Sequence, residues 1–267
     1  MRSRFLKACF QALGLLCLAS HAHALLLLDP NWPELARNCG VAIQALRPEI
    51  DERARELRVH PSVILAMIDQ ESQGDCQRVR HEKNGTDSVG LFQINSGTPG
   101  FARCTEDQLR QVEGSGSIDE LRQGPQCIEN PVFSLAKMAE VWKAKERTLK
   151  LPFFNVRIRG ESTRFEGFPE LDQHPEFRIR LLLAAFNGGE VWMAEAATII
   201  TQLNLEKRFK LNKYRWPDFE SVLLQRVVSV ADRQRIIGWK GRLEAFAQSN
   251  VNYVKEVLAT AKVRFKR

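Results

Sequence analysis

The segment Pro61-Ser-Val-Ile-Leu-Ala-Met-Ile-Asp-Gln-Glu-Ser72 constrains the fold more than any other stretch of this 267-residue chain. Its spacing predicts a helix, with Pro61 suited to the first helical position and Gly74 to the end. Val63, Met67 and Glu71 lie four apart and share one stripe, which Ile64 and Ile68 widen. Glu71 therefore closes the buried face, where a carboxylate is expensive. Burial without a cation partner disfavours the charged form and raises a glutamate pKa. Such a group keeps a proton near neutral pH and can deliver it to a leaving oxygen. Helix position alone favours a plainer role for Glu71, capping a backbone amide or pairing with an arginine.

The amino terminus sets the compartment. Arg2, Arg4 and Lys7 precede the apolar run Phe10 to Ala19, and Ala22-His-Ala24 offers a small-x-small cleavage site. This is the pattern of a secretory signal peptide over residues 1–24. Leu25 to Leu28 prolong the apolar run, but Gln11, His21 and His23 make an uncleaved anchor a poor membrane helix. No later stretch is long and apolar enough to span a bilayer. The expected location is periplasmic. Lys plus Arg number 39 against 32 Asp plus Glu, a net +7. Losing the three leader cations leaves 36 against 32, or +4. The absence of any tract of five or six like charges argues against nucleic acid as a partner.

Cleavage leaves Cys39, Cys76, Cys104 and Cys127, an even count that predicts two disulfides in an exported chain. Three pairings are open. Cys104–Cys127 is favoured because it would close one loop-rich insertion. No two cysteines stand close enough for a zinc ligand pair, so no metal is expected.

Helical periodicity dominates the rest of the chain, giving a mainly α, α+β expectation with one small sheet. A helix is read over Cys39 to Leu57, with Pro48 as a candidate break. Asn84-Gly85 signals a hairpin turn before Val89-Gly-Leu-Phe-Gln-Ile-Asn95. Phe101 to Gln126 reads as a Gly- and Ser-rich insertion. Asn130-Pro131 caps a helix to about Lys150. Leu151 to His174 reads as irregular and polar. Phe177 to Asn187 reads as an apolar helix stopped by Gly188-Gly189, with further helices at 190–205, 219–235 and 239–265.

Four segments in order carry a resemblance: Glu71-Ser72, Gly90-Leu-Phe-Gln93, Ala184-Ala-Phe-Asn-Gly-Gly189 and Asn252-Tyr-Val254. Together they resemble the ordered motifs of family-1 lytic transglycosylases, SLT-type lysozyme-like enzymes that cleave bacterial peptidoglycan. The likeness spans roughly residues 55 to 260 and implies a lysozyme-like fold with additional C-terminal helices. Residues 25–267 are then one domain, with insertions near 97–129 and 151–174. The resemblance implies that Glu71 is the single catalytic acid/base and that Ser72 supports it. It places Gln93, Asn95, Phe186, Asn187, Gly188 and Tyr253 along the substrate. Phe92 stands where methionine is usual, and Phe186 where tyrosine is usual, which removes a hydroxyl and keeps a ring.

Each of these residues also has a plainer reading. Gln93 could serve the hairpin backbone, Gly90 a close backbone approach, Asn187 a helix stop and Tyr253 the core. Only their joint order favours the functional reading.

The implied reaction needs one carboxylate and no cofactor. Glu71 would protonate the oxygen after N-acetylmuramic acid, then accept the C6 proton of the same sugar. The product is a 1,6-anhydro end, formed without water. The expected partner is peptidoglycan glycan, in wall remodelling or beside a secretion, conjugation or pilus apparatus.

The rival is a two-carboxylate lysozyme. Animal-type lysozymes place an aspartate two residues before the glycine, where this chain has Ser88. Asp87 lies one residue earlier, and in a strand that slip turns the side chain to the other face. Asp87 is accordingly read as a turn or surface residue. A non-catalytic wall-binding scaffold is the alternative of another class. No HExxH pair, Gly-x-Ser-x-Gly elbow or phosphate-binding loop occurs.

Overall fold

The computed structural model describes residues 37–82, 85–158, 161–206, 210–224 and 244–264. The leader, residues 25–36 and most of the 219–235 helix expectation lie outside the described residues. The described chain is mainly α, with two small antiparallel sheets. It groups into two compact units. The first comprises the described residues up to Ala54, His60–Leu135 and those from Leu258. The second comprises Arg55–Val59 and Ala136–Val257.

Before the first long helix the chain departs from the expected one. Arg37 N–H donates to Gly74 O (3.0 Å) and Cys76 N–H to Arg37 O (3.0 Å), and Asn38 and Gly40 take left-handed backbone, so this stretch is not helical. A 3-10 turn, Ile43–Leu46, follows, and only then α1, Arg47–Leu57. Pro48 sits in the first turn of α1, where its missing N–H is harmless. Cys39 is bonded to Cys76, which holds the chain away from helical geometry there.

Helix α2, Pro61–Ser72, has nine of its twelve residues buried. His60 caps it through Nδ1, which accepts from Ser62 N–H at 3.2 Å. Strands β1 (Val79–His81), β2 (Asp87–Val89) and β3 (Ile94–Asn95) form one sheet in that order. At the β1–β2 turn, Gly85 N–H donates to Glu82 O (3.0 Å) and Glu82 N–H to Thr86 O (2.8 Å). Gly85 has φ +84°, a left-handed backbone that glycine adopts readily, while Asn84 of the expected turn lies outside the described residues.

The insertion is more regular than its composition suggests. It holds α3, Glu106–Gly114, with a Thr105/Gln108 capping box, and α4, Ile118–Gln123, capped by Ser117. Cys104–Cys127 closes it.

Helix α5, Pro131–Lys150, is capped by Asn130 Oδ1, which accepts from Val132 N–H at 3.0 Å. Residues 151–174 correct the irregular reading. Strands β4 (Phe153–Ile158) and β5 (Glu161–Glu166) pair as an antiparallel hairpin. Phe154 opposes Phe165, and both pack with Ala194 and Val191. The hairpin needs that apolar partner from a later helix, which its own polar sequence does not advertise.

Three more helices belong to the second unit: α6 (Pro175–Gly188), α7 (Glu190–Leu205) and α8 (Trp216–Leu223). Helix α9, Glu244–Arg264, completes the described chain. Phe168, Phe177 and Phe219 meet with centroids 5.4 to 5.8 Å apart, and Phe168 and Phe219 are fully buried. Arg178 is buried beside them in α6. Its Nε donates to Glu146 Oε1 (2.8 Å), and its Nη2 to Glu146 Oε2 (2.6 Å) and Leu57 O (2.9 Å). Lys150 and Arg58 also reach Glu146, at 2.7 and 3.0 Å.

Burial pushes the Glu146 carboxyl up, but Arg178 and Lys150 outweigh it and hold the group below the ordinary carboxylate range. A depressed folded-state value means this stabilisation is present above the ordinary carboxylate pKa. It fades as pH falls through the folded one. Urea unfolding should therefore show stability dropping under acid, and Glu146→Gln should flatten that drop while costing about 3 kcal/mol at neutral pH. The Cys39–Cys76 bridge closes 37 residues. Cys39→Ser with Cys76→Ser should cost about 2–4 kcal/mol, read as a lower thermal midpoint that reductant lowers further only through Cys104–Cys127.

Candidate functional site

The sequence-predicted residues divide between the units. Glu71, Ser72, Gln93 and Asn95 belong to the first, and Phe186, Asn187, Gly188 and Tyr253 to the second.

Glu71 is 8% exposed in the last turn of α2, after the half-buried Asp69 and the exposed Gln70. The helix stops at once. Gln73 takes the left-handed conformation (φ 54°, ψ 33°), and its N–H donates to Asp69 O at 3.1 Å. Ser72 is fully buried. Its hydroxyl donates to Ile68 O (3.1 Å) and accepts from Gly74 N–H (3.1 Å). Ser72 thus supports Glu71 through the backbone, by fixing the turn that ends the helix.

The Gly90–Gln93 connection joins β2 to β3. Gly90 has φ +79°, and a Cβ there would lie 2.7 Å from Ile128 O and 3.6 Å from Cys76 O. Leu91 and Phe92 are fully buried. Gln93 is buried and left-handed, with φ +47°. Its Nε2 donates to Arg78 O (3.0 Å) and Gly90 O (3.1 Å), which stitches the turn to β1. Its Oε1 is buried without a hydrogen-bond partner among the described residues. The hairpin role and an acceptor held inside the first unit thus coexist in one side chain. Asn95 Nδ2 donates to Thr86 Oγ1 (2.6 Å), and its Oδ1 accepts from Gly97 N–H (2.9 Å). Its amide is committed to the sheet.

Asp87 is a strand residue rather than a turn residue. Its Oδ1 lies 2.6 Å from Nδ1 of His81, its cross-strand partner. Ser88 points the other way and is buried, donating to Glu82 Oε1 at 2.7 Å. Together with Arg80, and in that order of weight, this bond holds the Glu82 carboxyl below its ordinary range.

In the second unit, Phe186 is half-buried and Asn187 exposed in the last turn of α6. Gly189, with φ 88°, follows as the stop. Tyr253 is buried on α9 with Val254 and Val257. One residue escaped the sequence reading. Asn250 is fully buried on the same face of α9, and its Oδ1 accepts from Asn187 Nδ2 at 2.6 Å. The available signal was an asparagine on an apolar helical stripe at 250, 254, 257 and 261.

Cys104, Cys127 and Glu129 bring three ligand-type atoms within 4.8 Å. The sulfurs are bonded to each other, and Glu129 accepts from Arg103 Nε (3.0 Å) and Cys104 N–H (2.9 Å). The cluster is a structural lock.

No protein-family model matches the chain, and no curated protein matches it.

Gly90→Ala would combine a left-handed backbone with a 2.7 Å clash against a carbonyl. It should lower stability by about 2–4 kcal/mol, measured by denaturant unfolding.

Proposed function

We propose that the protein is a peptidoglycan lytic transglycosylase, acting after export on glycan strands in the periplasm. The observation that carries the reading is Glu71, a buried carboxylate at the immobilised end of an apolar helix. The Gly90–Gln93 turn supports it, since Gly90 packs on Cys76, five residues beyond Glu71 in the same unit. Two disulfides suit an oxidising compartment. No described helix is long and apolar enough to cross a membrane.

In this reading Glu71 begins protonated. It donates to the oxygen of the bond between N-acetylmuramic acid and N-acetylglucosamine, and the C1–O bond breaks. The substrate's own N-acetyl group stabilises the cationic centre. The C6 hydroxyl then attacks C1 and returns its proton to Glu71. The new C1–O6 bond closes the 1,6-anhydro ring, and the acid is regenerated. An internal hydroxyl outcompetes water because it is already in place. Asp87 is not needed: its carboxylate is held by His81 on the sheet face opposite Ser88. Wall remodelling, or local opening of the wall for a secretion, conjugation or pilus apparatus, is the proposed setting.

Purified sacculi and mass spectrometry of the released muropeptides test this directly. Products should be lighter by one water than those of a hydrolase. Glu71→Gln should lower turnover by at least about a hundredfold, and Asp87→Asn should leave most of it. Equal loss in both variants, or hydrated ends, would sink the one-carboxylate mechanism.

A further inference from the structure

We propose that Asn250 is a positioning residue, which fixes the rotamer of Asn187 so that the Asn187 carboxamide oxygen faces the ligand. The inference rests on the glycan-binding reading given above. Asn250 has no exposed surface, and it shares its helix face with Val254, Val257 and Ala261. A buried amide is costly unless its polar atoms are bonded. Here only one is: Oδ1 accepts from Asn187 Nδ2 at 2.6 Å, and Nδ2 has no hydrogen-bond partner among the described residues. A leucine would fill similar space without that cost, so stability alone does not account for the amide.

The same side chain dictates the next residue of α6. A Cβ on Gly188 would lie 2.1 Å from Asn250 Nδ2 and 2.4 Å from its Oδ1. Both distances are far inside contact, so Asn250 and any side chain at 188 exclude each other. One buried amide thus holds Asn187 and keeps 188 bare.

Asn187 itself is exposed. With Nδ2 committed inward, its Oδ1 is the atom offered outward. The site therefore selects a hydrogen-bond donor, such as the acetamido N–H or a hydroxyl of an N-acetylated sugar, over an acceptor.

The test uses the whole exported protein and soluble, peptide-free glycan strands, with kcat, KM and the thermal midpoint all measured. Asn250→Leu should raise KM about tenfold, one hydrogen bond's worth, with kcat within about twofold and no lower midpoint. Asn250→Asp keeps an acceptor and should recover most of the lost affinity. Asn187→Asp, an exposed change that folds regardless, removes the donor and should raise KM at least as much. Gly188→Ala should lower the midpoint, and Gly188→Ala with Asn250→Ala should regain it while KM stays high. Wild-type KM in Asn250→Leu or in Asn187→Asp overturns the positioning role and leaves the enzyme assignment standing. A wild-type protein that cleaves no strands overturns the assignment, and this inference with it.

Discussion

The way α2 is stopped governs the first unit. A helix with nine of twelve residues buried still leaves its last carbonyls without intrahelical partners. The chain supplies them within a few residues. Gln73 turns left-handed and donates to Asp69 O, while the Ser72 hydroxyl bridges Ile68 O and Gly74 N–H. Gly74 O takes Arg37 N–H, and Cys76, bonded to Cys39, closes the circuit. Glu71 lies inside this lock. In the proposed reaction such an arrangement helps, because it sets the reach of the carboxylate before the ligand arrives.

That lock extends into the sheet. Gly90 must be glycine because the backbone of Ile128 occupies the place of its Cβ. The connection it starts ends on Gln93, a non-glycine residue in a left-handed conformation. Such a conformation persists when the surroundings over-determine it, and here two carbonyls, of Arg78 and Gly90, do so through Nε2. Ser72, Gln93 and Asn95 share this character. Each matches a proposed substrate-side position, and each has polar atoms bonded to its own unit. Of the three, only Gln93 keeps a buried side-chain atom without a hydrogen-bond partner among the described residues, its Oε1.

Where local signals suffice, the sequence was legible. Helix α2 begins at Pro61, α5 at Pro131 behind an asparagine cap, and α7 spans residues 190–205 as its periodicity predicts. Three features depended on distant partners and were missed. The β4–β5 hairpin owes its buried face to Ala194 and Val191. The non-helical start at Cys39 depends on a sulfur 37 residues away. Asn250 acquires its meaning from Asn187, 63 residues earlier. The same division runs through the site. Glu71 stands out on one helix by periodicity, whereas Asn250 reads as an irregularity until its partner is known.

The two sets of candidate residues are held by different physics. Around Glu71 the constraints are covalent and backbone-based, so single side-chain changes there act mainly through the turn geometry. Around Asn187 one desolvated hydrogen bond does the holding, and the Nδ2 of its acceptor residue has no hydrogen-bond partner among the described residues. Under the proposed positioning role, a buried amide of this kind gives up stability in exchange for fixing the orientation of Asn187. The same amide limits position 188, where a Cβ would lie 2.1 Å from Asn250 Nδ2.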